Sequence, residues 1–230
     1  MLDFALPPRC AGCGAIVDEV HSFCPPCWTE VLFLGESGCS TCGMPLEATD
    51  AKLCGVCVSK PRIQRTRSAV AYDDQSRSIA LRLKYGRKVA LALTMARYMA
   101  PLIRDGEEPL LVPVPLHRSR LWQRGFNQAA LVANELARAT GHRSDPHLLR
   151  RVKRTPALKG MSLRQRRKVV AGAFQVDPSA ELEGRTVVLI DDVLTTGSTA
   201  NACARALRQA GASRVELVSW ARVIKPMQLT

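Results

Sequence analysis

Asp191 and Asp192 follow the apolar run Val187-Val188-Leu189-Ile190 and precede a hydroxyl-rich loop, Thr195-Thr196-Gly197-Ser198-Thr199. Ionised carboxylates only accept hydrogen bonds, so the acid pair suits hydroxyl donors such as a ribose diol, directly or through a divalent metal. The loop suits a phosphate. Main-chain N–H groups and the positive end of a following helix hold an anion without any cationic side chain. Gly197 can take φ > 0 and let the anion approach the backbone, and the hydroxyls of Thr195, Thr196, Ser198 and Thr199 add donors. The segment therefore reads as a ribose-phosphate site at the carboxyl end of a strand, where open α/β sheets place their ligands. Packing alone would give a buried strand and a helix with Ser198 or Thr199 as N-cap, but it leaves two consecutive acids unexplained.

A second chemistry lies near the start of the chain. Eight of the nine cysteines form four Cys-x-x-Cys pairs: Cys10/Cys13, Cys24/Cys27, Cys39/Cys42 and Cys54/Cys57. The gaps between pairs repeat, giving two nearly equal units. Thiolates three residues apart around a tight turn can face one ion, and two such turns complete a tetrahedral four-sulfur zinc site. Gly14 and Gly43, each just after a second cysteine, fit turns requiring φ > 0. The pattern predicts two zinc ribbons wired sequentially rather than cross-braced, both structural because four thiolates leave no position for water. Disulfides would need an oxidising compartment, and a thioredoxin-like pair would need a βαβ context. Cys203, in the helix after the phosphate loop, reads as core.

The elements that must position these residues come from periodicity. Strands are expected at Ser68 to Tyr72, Leu110 to Val114, Ala173 to Val176, Thr186 to Ile190 and Arg214 to Trp220. Helices are expected at Ser76 to Tyr85, Lys88 to Ile103, Asn127 to Ala139 closed by Gly141, and Ser198 to Ala210 closed by Gly211. Arg150 to Val170 shows no strand pattern and reads as mobile. Strands alternating with helices give an α/β fold with a mostly parallel sheet. The division is a cysteine-rich unit over 1–60, an α/β unit over 61–230, and a linker at Ser59-Lys60-Pro61-Arg62.

The 230 residues are 47% hydrophobic, enough for one sizeable core plus an appendage. No apolar run reaches membrane-span length, and the first residues lack the basic region of a secretory signal, so the expected location is cytoplasmic. Charge is uneven: net −5 through Cys57 and +18 from Val58 onward. Between Arg143 and Lys168 stand ten Arg or Lys and one acid, Asp145. That segment can bind nucleic acid, neutralise pyrophosphate, or be a solvated loop. Its candidate contacts are Arg154, Arg164, Arg166, Arg167 and Lys168, together with Arg124.

Residues 187–199 resemble the phosphoribosyl pyrophosphate (PRPP) motif of type I phosphoribosyltransferases. Val112-Pro113-Val114-Pro115-Leu116-His117-Arg118, followed by Arg124-Gly125-Phe126-Asn127-Gln128-Ala129, resembles the signature of the ComF family of competence-associated, phosphoribosyltransferase-like proteins. The cysteine-rich region, Tyr72 and Leu83-Lys84-Tyr85-Gly86 fall in the order such proteins show, so the likeness covers nearly the whole chain. It implies a type I phosphoribosyltransferase fold behind a double zinc ribbon, with Mg²⁺ accompanying PRPP. It also implies that Asp191 and Asp192 work beside the phosphate loop and that Leu116, His117 and Arg118, with Arg120, bind pyrophosphate. Lys84 would sit near the substrate cleft or be a solvated lysine. Asn127 would be a ligand or a helix cap. The basic stretch would be a lid whose closure excludes water.

Departures from the family pattern narrow the chemistry. Purine-salvage relatives carry an acid three positions after the second aspartate, where this chain has Thr195, so the loop supplies no general base of that kind. The lid sequence Thr155-Pro156-Ala157-Leu158 lacks a common Gln, and Val169 replaces a common Asn. Two functions follow from the resemblance. One is a Mg²⁺-dependent phosphoribosyl transfer linked to DNA uptake and natural transformation. The other is a non-catalytic single-stranded DNA-binding competence protein that uses the same phosphate platform. The ribbons would extend the fold or meet a helicase-like competence partner.

Overall fold

The computed structural model describes residues 7–36, 38–46, 51–59, 63–104, 108–156 and 161–224. Lys60 to Arg62 of the expected linker and Ala157-Leu158 of the expected lid lie outside them. Two short helices, α1 (Pro25–Glu30) and α2 (Gly55–Ser59), belong to the ribbons. The α/β part contributes β1 (Arg65–Ala71), α3 (Asp74–Tyr85), α4 (Leu91–Met99), β2 (Leu110–Pro113), α5 (Arg118–Arg124) and α6 (Gln128–Thr140). It continues with β3 (Leu149–Arg151), α7 (Leu163–Val170), β4 (Phe174–Val176), β5 (Thr186–Leu194), α8 (Ser198–Gln209) and β6 (Arg214–Arg222).

The main sheet has the order β1-β6-β5-β2 and every pairing in it is parallel. A strand buried on both faces has no polar side, which is why β5 begins as an unbroken apolar run. Val188 and Ile190 face one layer with α3, α4 and α6, joined by Met95, Leu136 and Trp220. Val187 and Leu189 face the other, with Cys203 and Leu207 of α8. Each fully buried side chain of this size contributes about 1.5–3 kcal/mol. β3 and β4 form a separate antiparallel pair.

Several expectations need correction. The segment Arg150 to Val170 is not structureless: β3 occupies its start, and Ser162 caps α7 in a reciprocal capping box with Gln165. The helix expected through Ile103 gives way at Met99 to a 3₁₀ turn, Ala100–Leu102, because Pro101 has no N–H to continue it. Neither Ser198 nor Thr199 caps α8; Gly197 does, at φ 69°. The strand carrying the acids does not stop before them. β5 pairs with β6 as far as Leu194↔Arg222, so both aspartates lie within the sheet.

The ribbons pack onto the sheet rather than standing apart. Cys10, Ala11, Phe23, Cys24 and Cys27 share a core with Ile79, Met95 and Trp220. The segment between the two ribbons covers the β1 edge: Phe33 bridges Val70, Leu34 N donates to Ala69 O at 2.9 Å, and Ala71 N donates to Leu32 O at 2.8 Å. An open edge strand invites mispairing, and this contact blocks it.

Candidate phosphate site and zinc centres

β5 delivers the two aspartates to opposite faces, as alternation along a strand requires. Asp192 is buried on the face of α3 and α6. Lys84 of α3 forms an ion pair with its Oδ2, and Gln128 Nε2 at the start of α6 donates to its Oδ1 at 3.4 Å. Gln128 Oε1 in turn accepts from Arg124 Nη1, whose guanidinium carbon lies 5.2 Å from the centroid of the Tyr85 ring. Burial alone would lower the Lys84 value. The Asp192 carboxylate outweighs that by charge and hydrogen bond, holding the ammonium above the ordinary lysine value.

Asp191 is half-buried on the α8 face, with its Oδ1 accepting from Asp192 N at 2.9 Å. Loss of water, then the charge of Asp192, push its carboxyl well above the ordinary range against the pull of Lys84. The two acids are thus unequal. Asp192 is committed to Lys84 and Gln128, whereas Asp191 is the carboxyl with capacity for a diol or a hard cation.

Beyond Leu194 the chain turns through Thr195 to Gly197 into α8, a helix of 12 residues. Gly197 adopts the left-handed conformation, and a Cβ there would come 3.3 Å from Asn201 Nδ2. Asn201 Nδ2 donates to Gly197 O at 2.7 Å, which holds the turn. Thr196 Oγ1 and Ser198 Oγ lie 3.0 Å apart, and Ser198 N donates to Thr196 Oγ1 at 3.4 Å. Thr195 is exposed and Thr199 half-buried. The first-turn N–H groups of α8 and this hydroxyl cluster are donors of the kind that can hold an anion.

A cleft of about 780 Å³ adjoins α5, lined by His117, Arg120, Trp122, Arg151, Arg154 and Thr155 among others. Arg120 Nη2 donates to Thr155 O at 3.4 Å, and Arg151 Nη2 donates to Thr155 Oγ1. Arg151 is only 8% exposed, yet its Nε has no partner. Desolvation, then the Arg120 charge, press its guanidinium below the ordinary arginine value. Trp122 is 90% exposed at the cleft. The spacing of residues gives no sign of Arg151, which is one of several arginines in a basic stretch.

The remaining expected residues divide clearly. Leu116 is half-buried and Arg118 exposed at the start of α5. His117 caps that helix: its Nδ1 accepts from Ser119 N at 3.2 Å. Asn127 caps α6 through Ala129 N, and its Nδ2 donates to Val114 O at 3.1 Å, tying α6 to the end of β2. Arg124, expected among nucleic-acid contacts, is half-buried and directed at Gln128 and Tyr85. Arg154 lines the cleft. Arg164, Arg166, Arg167 and Lys168 all stand on α7, and Arg166 Nη1 donates to Thr195 Oγ1 at 3.4 Å, which places that helix against the 195–199 turn.

The cysteines gather as two groups, Cys10/Cys13/Cys24/Cys27 and Cys39/Cys42/Cys54/Cys57, with the sulfurs of each within 4.8 Å of one another. This is the sequential wiring. Gly14 N donates to Cys10 O at 3.0 Å and Gly43 N to Cys39 O at 2.7 Å, with both glycines at positive φ. Cys24 N donates to Cys10 Sγ at 3.2 Å and Cys54 N to Cys39 Sγ at 3.3 Å. Four convergent sulfurs with N–H donors to the thiolates fit structural zinc.

A family model described as a double zinc ribbon domain matches residues 1–58, and one described as a phosphoribosyl transferase domain matches residues 123–226. Competence protein F of Haemophilus influenzae is 30% identical over 93% of this chain and 96% of its own. DNA utilization protein YhgH of Escherichia coli K12 is 31% identical over 78% of this chain and 81% of its own. Adenine phosphoribosyltransferase from Thermoanaerobacter pseudethanolicus aligns over 59% of this chain and 82% of its own, at 18% identity and a TM-score of 0.39. Among the described residues no helix is long and apolar enough to cross a membrane.

Proposed function

The chain belongs to the ComF family, and from that footing we propose that it binds phosphoribosyl pyrophosphate and transfers the phosphoribosyl group with release of pyrophosphate, in the handling of DNA taken up for transformation. The observation that carries this reading is the cradle itself: a left-handed Gly197, the hydroxyls of Thr196 and Ser198 and the α8 N-terminus, set beside a half-buried Asp191. The division into residues 1–60 and 61–230 belongs to the same proposal.

In this reading the 5-phosphate occupies the 195–199 turn and the ribose diol meets Asp191. Asp192, fixed by Lys84 and Gln128, keeps the strand end in register. The pyrophosphate extends toward the cleft, where Arg120, Arg151 and Arg154 receive the charge that accumulates as the C1–O bond breaks. The leaving pyrophosphate keeps the bond electrons while the acceptor nucleophile forms the new bond to C1. Mg²⁺ accompanying the substrate, held on this chain at Asp191, would supply further neutralisation of the leaving group. Carboxylate oxygens at the strand end fit such a hard cation. α7, touching Thr195 through Arg166, is the part of the chain placed to exclude water.

Calorimetric titration with PRPP and Mg²⁺ tests this. Binding should be measurable in the native protein and lost in Asp191→Ala; equal affinity in both removes the site.

A second reading, non-catalytic binding of single-stranded DNA, is favoured by α7 and Trp122. Arg164 and Lys168 are exposed on that helix, and a fully presented indole beside cationic side chains is a stacking platform. The name of the Escherichia coli relative points the same way.

A further inference from the structure

Arg222, at the last position of β6, is 6% exposed and has no carboxylate partner among the described residues. Its Nη1 donates to Cys42 O, and its Nε has no hydrogen-bond partner. A buried guanidinium without a counter-ion costs several kcal/mol, so such a group implies a compensating negative charge close by. The adjacent group is the second cysteine cluster.

Arg67 of β1 approaches the same turn. It is 6% exposed, and its Nη1 donates to Cys39 O at 3.4 Å and to Ser40 O at 3.2 Å, with Nη2 on Ser40 O at 3.2 Å. Thr66 N donates to Thr41 O at 2.7 Å, and a Cβ at Gly43 would come 2.7 Å from Thr66 O. Every carbonyl from Cys39 through Cys42 is therefore bonded: Thr66 N and two guanidiniums of the parallel sheet serve those at 39 to 42, and Gly43 N also reaches Cys39 O. Arg67 shares Glu36 with Arg65, and Arg65 also pairs with Glu216. One exposed acid is thus divided between two cations, and Arg222 is left over.

We propose that Arg67 and Arg222 are the counter-ions of the second zinc centre, so that metal at Cys39, Cys42, Cys54 and Cys57 and the paired strands β1 and β6 hold each other. Four thiolates outweigh the charge of one Zn²⁺, leaving the centre anionic. Donors on its cysteine carbonyls and a cation behind them stabilise that excess, and they orient the turn that carries two of the ligands. The first centre is seated differently. Cys10, Cys24 and Cys27 lie in the apolar core, and the guanidiniums on its turn come from outside the sheet: Arg82 of α3 on Ala11 O, its Nε likewise without a partner, and Arg9 on Gly14 O. The two zincs should therefore respond differently to loss of charge in the sheet.

The experiment measures zinc content and zinc release to a chromogenic chelator in the full-length protein. Native protein and the variants Arg222→Met, Arg67→Met, Arg222→Lys and Arg82→Met are compared, with Cys57→Ser identifying the phase that belongs to the second centre. Arg222→Met and Arg67→Met should lose the second zinc about 10- to 100-fold more readily, the span usual for groups behind metal ligands. The first zinc should be unchanged, Arg222→Lys should recover much of the retention, and Arg82→Met should leave the second phase as in the native protein. Equal acceleration of both zincs, or native release in both methionine variants, overturns the proposal. Should Arg222→Met not fold, hydrogen exchange on the native protein decides. Stripping zinc should deprotect amides at residues 66–71 and 219–222 while α8 stays protected, and unchanged protection of those segments overturns it.

Discussion

Gln128 Nε2 and Asp192 Oδ1 meet at 3.4 Å, and this contact gives the Arg124-Gly125-Phe126-Asn127-Gln128 segment a physical purpose. Gly125, at φ 85°, ends α5; Asn127 starts α6 and anchors it to Val114 O; Gln128 then points at the buried acid, braced by Arg124 stacked on Tyr85. Lys84 approaches Asp192 from α3. Two helices and one strand therefore converge on a single carboxylate, and the strand end that carries Asp191 is fixed by its neighbour.

Lys84→Met should show what that convergence contributes. With Lys84 gone, Asp192 is left 5% exposed and uncompensated, and breaking a buried pair costs about 3–5 kcal/mol. Adding Asp192→Leu should restore part of the loss, because no charge is then stranded. Urea unfolding of the native protein, both single variants and the double variant measures the coupling. Strict additivity would mean that the ion pair contributes nothing.

Gly197→Ala tests the turn. A non-glycine residue at φ 69° carries about 1–2 kcal/mol of strain, and the added Cβ presses on the Asn201 amide that holds the turn. Affinity for ribose 5-phosphate, followed calorimetrically, should fall at least about tenfold, while the zinc content stays native. Undiminished affinity would place the phosphate elsewhere.

The cysteine groups and the strand, turn and helix over 187–199 were legible because rare residue types at fixed spacing leave few alternatives, and the parallel sheet because apolar strand runs alternate with helical ones. The misses share a cause. α5 buries no side chain, so no apolar stripe marks it. α7 is mostly Arg, Lys and Gln, and its one legible signal was Ser162 followed three residues later by Gln165. Asp191 and Asp192 looked like the end of a strand because acids are poor strand formers, yet pairing with β6 carries the ladder through them. Arg151 and Arg222 could not be picked out at all, since burial of one arginine among many is a tertiary fact.

Asp191→Asn should stabilise the protein while removing its ligand. The folded-state pKa of Asp191 is raised, so the folded form binds this proton more tightly than the unfolded form. The native fold then loses stability as pH rises from the ordinary carboxylate range, about 4, toward the raised folded value. An uncharged Asn escapes that loss. Thermal melts from pH 4 to neutrality should find the variant more stable near pH 7 and level with the native protein near pH 4, with Mg²⁺–PRPP binding abolished. A variant less stable at neutral pH would show that the Asp191 charge favours the fold.

Replacing Arg164, Arg166 and Lys168 together separates the two functional readings. All three stand on α7, where Arg166 already reaches Thr195, so they are placed to meet phosphates beyond the 195–199 turn. If they bind a single strand, the slope of log affinity against log salt should become shallower by about 2, near 0.7 for each phosphate no longer neutralised. Fluorescence anisotropy with labelled oligothymidylate measures this. Asp191→Asn measured in parallel should leave the slope unchanged, because a carboxylate releases no phosphate counter-ion. An unchanged slope in the triple variant would remove α7 from the DNA-binding surface. A slope changed equally by Asp191→Asn would mean that strand and sugar phosphate compete for one cradle.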